Sequence, residues 1–221
     1  MQELAIFGAG TLAKLAGYYA SVEMGLKIRA YVVDEQYKTA DEFSGEPLLS
    51  WREFKDNFNP TQIVLHSAIG YRDMRRRIAI YERVKREGYE LITITSHSAY
   101  IAANATLGDN NLIMPGVVVE PGVSLGSNNV IWSNSVVCHD SWIGSHNFIA
   151  ANSTIGGQVS IGDNNFLGFS SVVLHGKKMG NETVLGAKSL LLADTEDLGV
   201  YYGSPAVRKK TVDSSRGIRI A

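Results

Sequence analysis

The sequence is poor in the features that mark secreted, membrane-bound or nucleic-acid-binding proteins. Its 221 residues include one cysteine, Cys138, so no disulfide can form within the chain and a reducing compartment is expected. No apolar run approaches the ~20 residues of a membrane span, and the opening residues MQELAIFGAG lack the pattern of a signal peptide. The formal net charge of −1 gives no attraction to nucleic acid or to an anionic membrane. These absences predict a cytoplasmic protein that binds neither nucleic acid nor a membrane.

The sequence does contain an aliphatic residue at every sixth position from residue 101 to residue 185. The fifteen positions are Ile101, Leu107, Ile113, Val119, Leu125, Ile131, Val137, Ile143, Ile149, Ile155, Ile161, Leu167, Val173, Met179 and Leu185. A period of six fits neither the 3.6-residue period of a helix nor the two-residue alternation of a strand. It is typical of a hexapeptide β-helix, in which three hexads close one triangular coil and small residues occupy the corners. Fifteen hexads therefore predict five coils, with each aliphatic side chain stacked on the one eighteen residues later.

Residues 1–95 show a different pattern, in which apolar strands alternate with helices. In chain order we predict a strand at LAIF, a helix at TLAKLAGYYASVEMG, a strand at LKIRAYVVD, a short helix at LLSWREFKDNF, a strand at TQIVLHSAIG, a long basic helix at YRDMRRRIAIYERVKREG and a closing strand at YELITIT. This alternation predicts a small parallel α/β sheet. Because Arg72, Arg75, Arg76 and Arg77 cannot share one face of a helix, most of them are expected to be solvated.

A glycine turn follows the first strand, and an acid follows the second. Gly8, Ala9 and Gly10 lie between the first strand and helix, and Asp34 ends the second strand. This is the layout of a nucleotide cradle, in which backbone amides and a helix dipole hold a phosphate. An ordinary tight turn explains the same residues equally well. The chain has no G-K-[ST] motif, which argues against a P-loop that hydrolyses phosphate.

The two halves together resemble the hexapeptide-repeat sugar acyltransferases of the sialic-acid O-acetyltransferase and bacillosamine N-acetyltransferase type. The segments that carry the resemblance are IFGAG, YVVDE, AIGYRDMRRR, VVCHDSWIG, IGDNNFLGFSSVVL and GVYYGSPAVRK. The resemblance implies a Rossmann-like nucleotide-sugar domain over residues 1–95, a left-handed β-helix acyltransferase domain over 96–206 and a C-terminal tail over 207–221. It also implies a homotrimer that binds acetyl-CoA between subunits and uses no metal.

The same resemblance assigns roles to individual residues. His139 aligns with the catalytic histidine, which takes a proton from the attacking group, and Asp140 would raise its basicity. The alternative for both is an ordinary solvated corner. The implied acetyl-CoA contacts are Phe148, Gly157, Phe169, Ala187 and Lys188. The implied substrate contacts are Gly8, Ala9, Gly10, Thr11, Asp34, Ile69, Gly70 and Arg75. Thr11 and Leu12 replace the usual Gly-His, and Val33 replaces a second acid, so the nucleotide and the sugar stay open.

The expected activity is N-acetylation of an amino group on a nucleotide-linked sugar in surface-glycan synthesis, with acetyl-CoA as the donor. O-acetylation of a sugar hydroxyl is the alternative within this class. A γ-class carbonic anhydrase is a second alternative, because His175 lies 36 residues after His139, although Gly180 occupies the place of the third zinc ligand. A non-catalytic trimeric scaffold is a third.

Overall fold

The computed structural model describes residues 3–220. The N-terminal part is a five-stranded sheet in the order β3-β4-β2-β1-β5, parallel except for β3. Its strands are β1 (Glu3–Phe7), β2 (Lys27–Val33), β3 (Glu42–Phe43), β4 (Glu46–Ser50) and β5 (Val64–Ser67). Its helices are α1 (Thr11–Tyr18), which continues into a π turn (Tyr19–Glu23), a 3-10 turn (Glu35–Tyr37), α2 (Trp51–Asn57) and α3 (Met74–Arg86). The predicted α/β class is confirmed.

Strand β1 is the centre of the sheet and is buried on both faces. Successive side chains of a strand point to opposite sides, so Leu4 and Ile6 join one apolar cluster while Ala5 and Phe7 join another. The first cluster contains α1 and extends into the second half of the chain. The second contains α2 and α3. The sheet therefore has α2 and α3 on one side, and α1 with the second half of the chain on the other.

Two of the predicted elements differ from those in the structure. Leu48 and Leu49 belong to strand β4 and not to the helix that follows. Ser50 stops the strand because it forms a capping box with Glu53: its hydroxyl accepts a hydrogen bond from the Glu53 amide, and the Glu53 carboxylate accepts one from the Ser50 amide at 2.8 Å. The predicted closing strand YELITIT is divided, because Leu91 bridges to Leu65 in the α/β sheet while the residues from Ile94 onward pair elsewhere.

The second half is a β-helix of two-residue strands. These are β6 (Ile94–Thr95), β7 (Tyr100–Ile101), β8 (Thr106–Leu107), β9 (Leu112–Ile113), β10 (Val118–Val119), β11 (Ser124–Leu125), β12 (Val130–Ile131), β13 (Val136–Val137), β14 (Trp142–Ile143), β15 (Phe148–Ile149), β16 (Thr154–Ile155), β17 (Ser160–Ile161), β18 (Phe166–Leu167), β19 (Val172–Val173), β20 (Lys178–Met179), β21 (Val184–Leu185) and β22 (Leu190–Leu191). From Ile101 to Leu167, each aliphatic of the six-residue series pairs with the one eighteen residues on, as Val119 does with Val137. From Ile113 to Leu185 all are buried, so the predicted β-helix is confirmed.

The β-helix has three faces, which differ in the side chains that point outward. We call the first the docked face; its outward residues are buried, and they are Leu112, Val130, Phe148, Phe166 and Val184. The second is the open apolar face, with the outward residues Tyr100, Val118, Val136, Thr154, Val172 and Leu190. The third is the polar face, with the outward residues Thr106, Ser124, Trp142, Ser160 and Lys178. The docked face is buried because it packs against the α1 side of the α/β domain.

The corner between the polar face and the docked face joins the two domains. Its members recur every eighteen residues with positive φ, and we call them the corner ladder: Asn110, Asn128, His146, Asn164 and Glu182. The Asn110 side chain bonds both backbone groups of Ser67 at the end of β5, accepting from the amide at 2.7 Å and donating to the carbonyl at 3.3 Å. The guanidinium of Arg77 donates to the Asn128 carbonyl at 2.8 Å. The ladder thus fixes β5 and α3 to the β-helix.

The C-terminal residues complete the fold. Strands β23 (Gly199–Gly203) and β24 (Ala206–Thr211) form a hairpin that extends the docked-face sheet through β21. The chain then returns to the start of α3, where the Met74 amide donates to the Ile218 carbonyl at 3.1 Å. The expected tail over 207–221 therefore contains most of a strand and a packed return segment over its described residues. None of the helices within residues 3–220 is long and apolar enough to cross a membrane.

Candidate active site

His139 and Asp140 lie at the corner between the open apolar face and the polar face. The Nδ1 atom of His139 is 3.0 Å from Oδ2 of Asp140. A carboxylate accepts hydrogen bonds, so Nδ1 carries the proton and Nε2 keeps its lone pair. The backbone amide of His139 donates to the Glu120 carboxylate at 2.7 Å, which fixes the start of the corner. Half of the imidazole is exposed, and Nε2 is the nitrogen that can act as a base.

Gly157 lies one coil beyond His139, next to the Nε2 end of its ring. A Cβ atom at this position would lie 2.6 Å from Nε2 of His139. Gly157 is thus needed for the imidazole to occupy its place. His175 follows after one more coil, with its ring centroid 6.2 Å from that of His139. Within residues 3–220, no three His, Cys, Asp or Glu side chains form a group that could hold a metal ion.

Cys138 is adjacent to the histidine but has a different environment. The side chain is half-buried. Burial raises the pKa of the Cys138 thiol, and the nearby Glu120 carboxylate raises it further. A protonated thiol is a poor nucleophile, which agrees with a structural role for this residue.

The predicted acetyl-CoA contacts lie at three separate places. Phe169, Ala187 and Lys188 are together at the corner between the docked face and the open apolar face, where the Lys188 amide donates to the Phe169 carbonyl at 2.8 Å. All three are exposed. Gly157 lies next to His139 instead. Phe148 is only 2% exposed, with its ring 4.7 Å from that of Tyr71 and stacked on Phe166 at 5.6 Å.

A cleft of about 580 Å³ lies between the two domains. Its lining residues are Gly8, Ala9, Gly10, Thr11, Leu12, Ala68, Ile69, Gly70, Tyr71, Arg72, Asp73, Arg76, Trp132 and Phe148. The predicted substrate contacts in the glycine turn and at Ile69–Gly70 are thus brought together. Helix α1 begins at this cleft with Gly10 as its N-cap, no side-chain cap and no acid in its first turn, which leaves amide groups available to an anion.

Gly8 allows the two loops of the cleft to approach each other. Its φ is +135°, and a Cβ atom there would lie 2.9 Å from the Ala68 carbonyl oxygen. Both constraints favour glycine over any residue with a side chain. The glycine turn is therefore more than a sharp bend, because it narrows the cleft at the end of β1.

Asp34 and Arg75, the other two predicted substrate contacts, do not line the cleft. The Asp34 carboxylate is paired with Arg76 at 2.7 Å and with Arg83 at 2.6 Å. The Arg75 guanidinium instead forms two hydrogen bonds with Glu182 on the corner ladder, at 2.7 and 2.8 Å. It is Arg76 that reaches the cleft, a residue to which the sequence assigned no role.

The expectation that most of these arginines are solvated is wrong for Arg77. Its side chain is 1% exposed between α3 and the β-helix. Burial lowers the pKa of the Arg77 guanidinium to about 10, which still leaves it charged near neutral pH. Arg77 belongs to the domain joint and not to the cleft.

One family model matches part of the β-helix. The family of bacterial transferase hexapeptide repeats (six repeats) matches residues 104–139, 122–157 and 140–175. These matches lie where the sequence predicts hexapeptide repeats, and the resemblance drawn from the sequence is confirmed.

Solved structures extend this likeness to nearly the whole chain. PerB from Caulobacter crescentus, solved with CoA and GDP-perosamine, is 25% identical, with 95% of this chain and 98% of that chain covered and a TM-score of 0.85. The acetyltransferase domain of PglB from Neisseria gonorrhoeae, solved with acetyl coenzyme A, is 22% identical, with 94% and 99% covered and a TM-score of 0.85. WeeI from Acinetobacter baumannii is 17% identical, with 95% and 100% covered and a TM-score of 0.84. No curated protein sequence matches the chain significantly.

Proposed function

We propose that the protein is an acetyl-CoA-dependent N-acetyltransferase that acts in the cytoplasm on the amino group of a nucleotide-linked amino sugar, for surface-glycan synthesis. The observation that carries the proposal is the His139–Asp140 pair, which leaves Nε2 as the basic nitrogen of a half-exposed imidazole on the β-helix. The complexes of PerB with CoA and GDP-perosamine and of PglB with acetyl coenzyme A support both the donor and the class of acceptor.

The geometry suits direct transfer without a covalent enzyme intermediate. The sugar amine attacks the thioester carbonyl carbon, and Nε2 of His139 takes a proton from the attacking nitrogen. The resulting imidazolium is stabilised by Asp140 through Nδ1. When the tetrahedral intermediate collapses, the C–S bond breaks and the imidazolium returns the proton to the departing thiolate. The products are an amide and CoA with a free thiol.

The proposed site requires more than one copy of the chain. Phe169, Ala187 and Lys188 lie at one edge of the open apolar face, and His139 lies at the opposite edge. Trp132 places the interdomain cleft at the same edge as Phe169. Packing of the open apolar face against a second copy would bury its Val and Leu side chains. It would also bring His139 of one copy close to the edge with Phe169, Ala187 and Lys188 of the other. We therefore propose a homotrimer, as the three-sided prism and the family resemblance suggest.

The test offers acetyl-CoA together with UDP-, dTDP- and GDP-linked 3- and 4-amino sugars, with the matching hydroxy sugars as controls. We expect thiol release with an amino sugar and a product heavier by one acetyl group. His139→Asn should reduce kcat ~10²-fold or more, while Cys138→Ser should leave it unchanged. Turnover only with hydroxy sugars would establish O-acetylation instead. Absence of thiol release with every acceptor, or normal turnover by His139→Asn, would contradict the proposal.

A further inference from the structure

The side chain of Arg76 is held at the cleft by two groups from the end of β2. Its Nη2 donates to the Asp34 carboxylate at 2.7 Å, and its Nη1 donates to the Tyr37 hydroxyl at 2.8 Å. The guanidinium also lies over the Tyr37 ring, 4.5 Å from the centroid. Because these three contacts already restrict the side chain of Arg76, it loses little conformational entropy when it binds a ligand. The side chain is still one-third exposed.

The charges around Arg76 leave a positive surplus at the cleft. One carboxylate, that of Asp34, is shared by two guanidiniums, those of Arg76 and Arg83. Arg83 lies over the Phe7 and Trp51 rings, at 5.2 and 5.3 Å, and does not line the cleft. Of the two guanidiniums that share Asp34, that of Arg76 is therefore the one that lines the cleft.

The acid that lines the cleft does not cancel this charge. One Asp73 oxygen accepts the backbone amide of Arg76 at 3.0 Å, and the other accepts the Arg219 guanidinium at 3.0 Å. Arg72 is exposed at the same wall. The glycine turn and the uncapped start of α1 at Gly10 line the cleft with them. An anion in the cleft would meet amide groups as well as the Arg76 guanidinium.

We propose that Arg76 binds the diphosphate of the nucleotide-linked sugar, and that Asp34 is a positioning residue that holds Arg76 and does not touch the substrate. A guanidinium has five N–H donors, of which Arg76 uses two on Asp34 and Tyr37. The others are available to phosphate oxygens in the paired geometry that arginine favours. This inference rests on the proposed function, because the diphosphate comes with that class of acceptor.

The probes are UDP, dTDP and GDP, with binding to the whole protein measured by calorimetry. For whichever binds wild type most tightly, Arg76→Gln should raise Kd about tenfold or more. The corresponding nucleoside, which has no phosphate, should bind both proteins equally. Arg86→Gln is the matched control, because Arg86 is exposed on the same helix outside the cleft. Arg76→Lys, which keeps the charge, should recover part of the affinity, and the Tm of each variant checks that it is folded.

The role of Asp34 is tested by a double-mutant cycle. Asp34→Asn should weaken diphosphate binding, but the double variant with Arg76→Gln should bind no more weakly than Arg76→Gln alone. In turnover, both single variants should raise KM for the sugar nucleotide while kcat at saturation stays near wild type. Additive losses in the cycle would make Asp34 a direct ligand and overturn its positioning role.

The outcomes separate this inference from the proposed function. If no diphosphate binds wild type, both are wrong. If a diphosphate binds wild type and Arg76→Gln with equal affinity, the proposal for Arg76 alone is overturned, and the acetyltransferase activity can still be measured independently.

Discussion

The imidazole of His139 lies next to Gly157, and their proximity gives a precise prediction. Gly157→Ala would place a methyl group 2.6 Å from Nε2, so the ring must turn away from its position. The backbone of Gly157 does not have a positive φ, so alanine there adds no backbone strain. We therefore expect kcat to fall about tenfold or more, with Tm unchanged by more than a few degrees. Thiol release and thermal unfolding provide the two measurements.

Gln158→Asn is the control for this variant. Gln158 is exposed next to Gly157 and has a φ of 58°, which asparagine tolerates well. It should keep wild-type kcat. A Gly157→Ala enzyme as fast as wild type would show that the position of the ring next to this glycine does not matter for turnover.

His66 at the end of β5 makes stability depend on pH. Its Nδ1 donates to the Ile92 carbonyl at 2.9 Å, and burial lowers the pKa of His66 from 6.5 to about 4. The unfolded chain therefore binds the proton more readily than the folded one. The free energy of unfolding should be highest above pH 6.5 and fall by up to roughly 3 kcal/mol as the pH drops to 4.

Urea denaturation at several pH values tests this. His66→Gln should be less stable than wild type at pH 7.5, yet should lose less of its stability between pH 6.5 and 4. Burial also lowers the pKa of His146, which adds a decline that both proteins share. An equally steep decline in the variant would mean that His66 does not cause the dependence.

For single residues, the sequence was informative where the candidate site residues are neighbours along the chain. His139 and Asp140 are adjacent, and the glycine turn is one continuous segment, so both could be proposed as site residues without coordinates. Arg76 was not found, because its contacts with Asp34 and Tyr37 join residues about forty positions apart. A basic first turn on α3 was the only sequence signal, and two other arginines shared it.

At the scale of elements, the corner ladder is the most testable joint. Asn128 is 1% exposed; its side-chain oxygen accepts from Asn110 at 2.7 Å and its amide donates to His146 at 2.9 Å. Asn128→Ala would remove one hydrogen bond from Asn110, which keeps its bonds to Ser67, and one from the partly buried His146, and it would strain a φ of 57°. We expect a loss of about 3 kcal/mol in the free energy of unfolding.

Asn134 provides the matched comparison for the ladder. It has the same left-handed backbone, with a φ of 60°, but is exposed at a different corner. Asn134→Ala should therefore lose only the backbone component, about 1 kcal/mol. An equal loss of unfolding free energy in the two variants, measured by urea denaturation, would show that the hydrogen bonds of the corner ladder add nothing to stability.

The elements of the β-helix were predictable because every coil repeats one local rule. The aliphatic series needs no long-range information, and each member beyond Leu107 is buried as expected. The ends of elements were harder to predict. Leu48 and Leu49 fit a helix pattern equally well, and only the Ser50–Glu53 capping box decides where α2 begins. Ile94 pairs with Leu112 of the β-helix, a choice that depends on tertiary packing.

At the scale of the whole molecule, the sequence pattern did not predict which face of the β-helix the α/β domain covers. The inward residues of the hexads are aliphatic on all three faces, so they do not distinguish one face from another. A signal was present in the outward residues: the docked face has a large apolar residue in every coil from Leu112 to Val184. The open apolar face has a similar but weaker stripe that includes Val118, Val136 and Val172, and it is not covered within one chain. The proposed homotrimer depends on this difference, because the open apolar face is the one left to pack against a second copy.

The central claim is that His139 of one copy serves acetyl-CoA held at the Ala187 corner of another, and co-expression of two inactive variants tests it most directly. His139→Asn removes the base, and Ala187→Glu blocks the exposed cofactor corner with bulk and negative charge. Each protein alone should release almost no thiol. Mixed trimers isolated by two different tags should recover roughly a third of wild-type activity, because one of the three interfaces in each mixed trimer pairs an intact histidine with an intact corner. Mixed trimers that stay as inactive as both parents would contradict the claim.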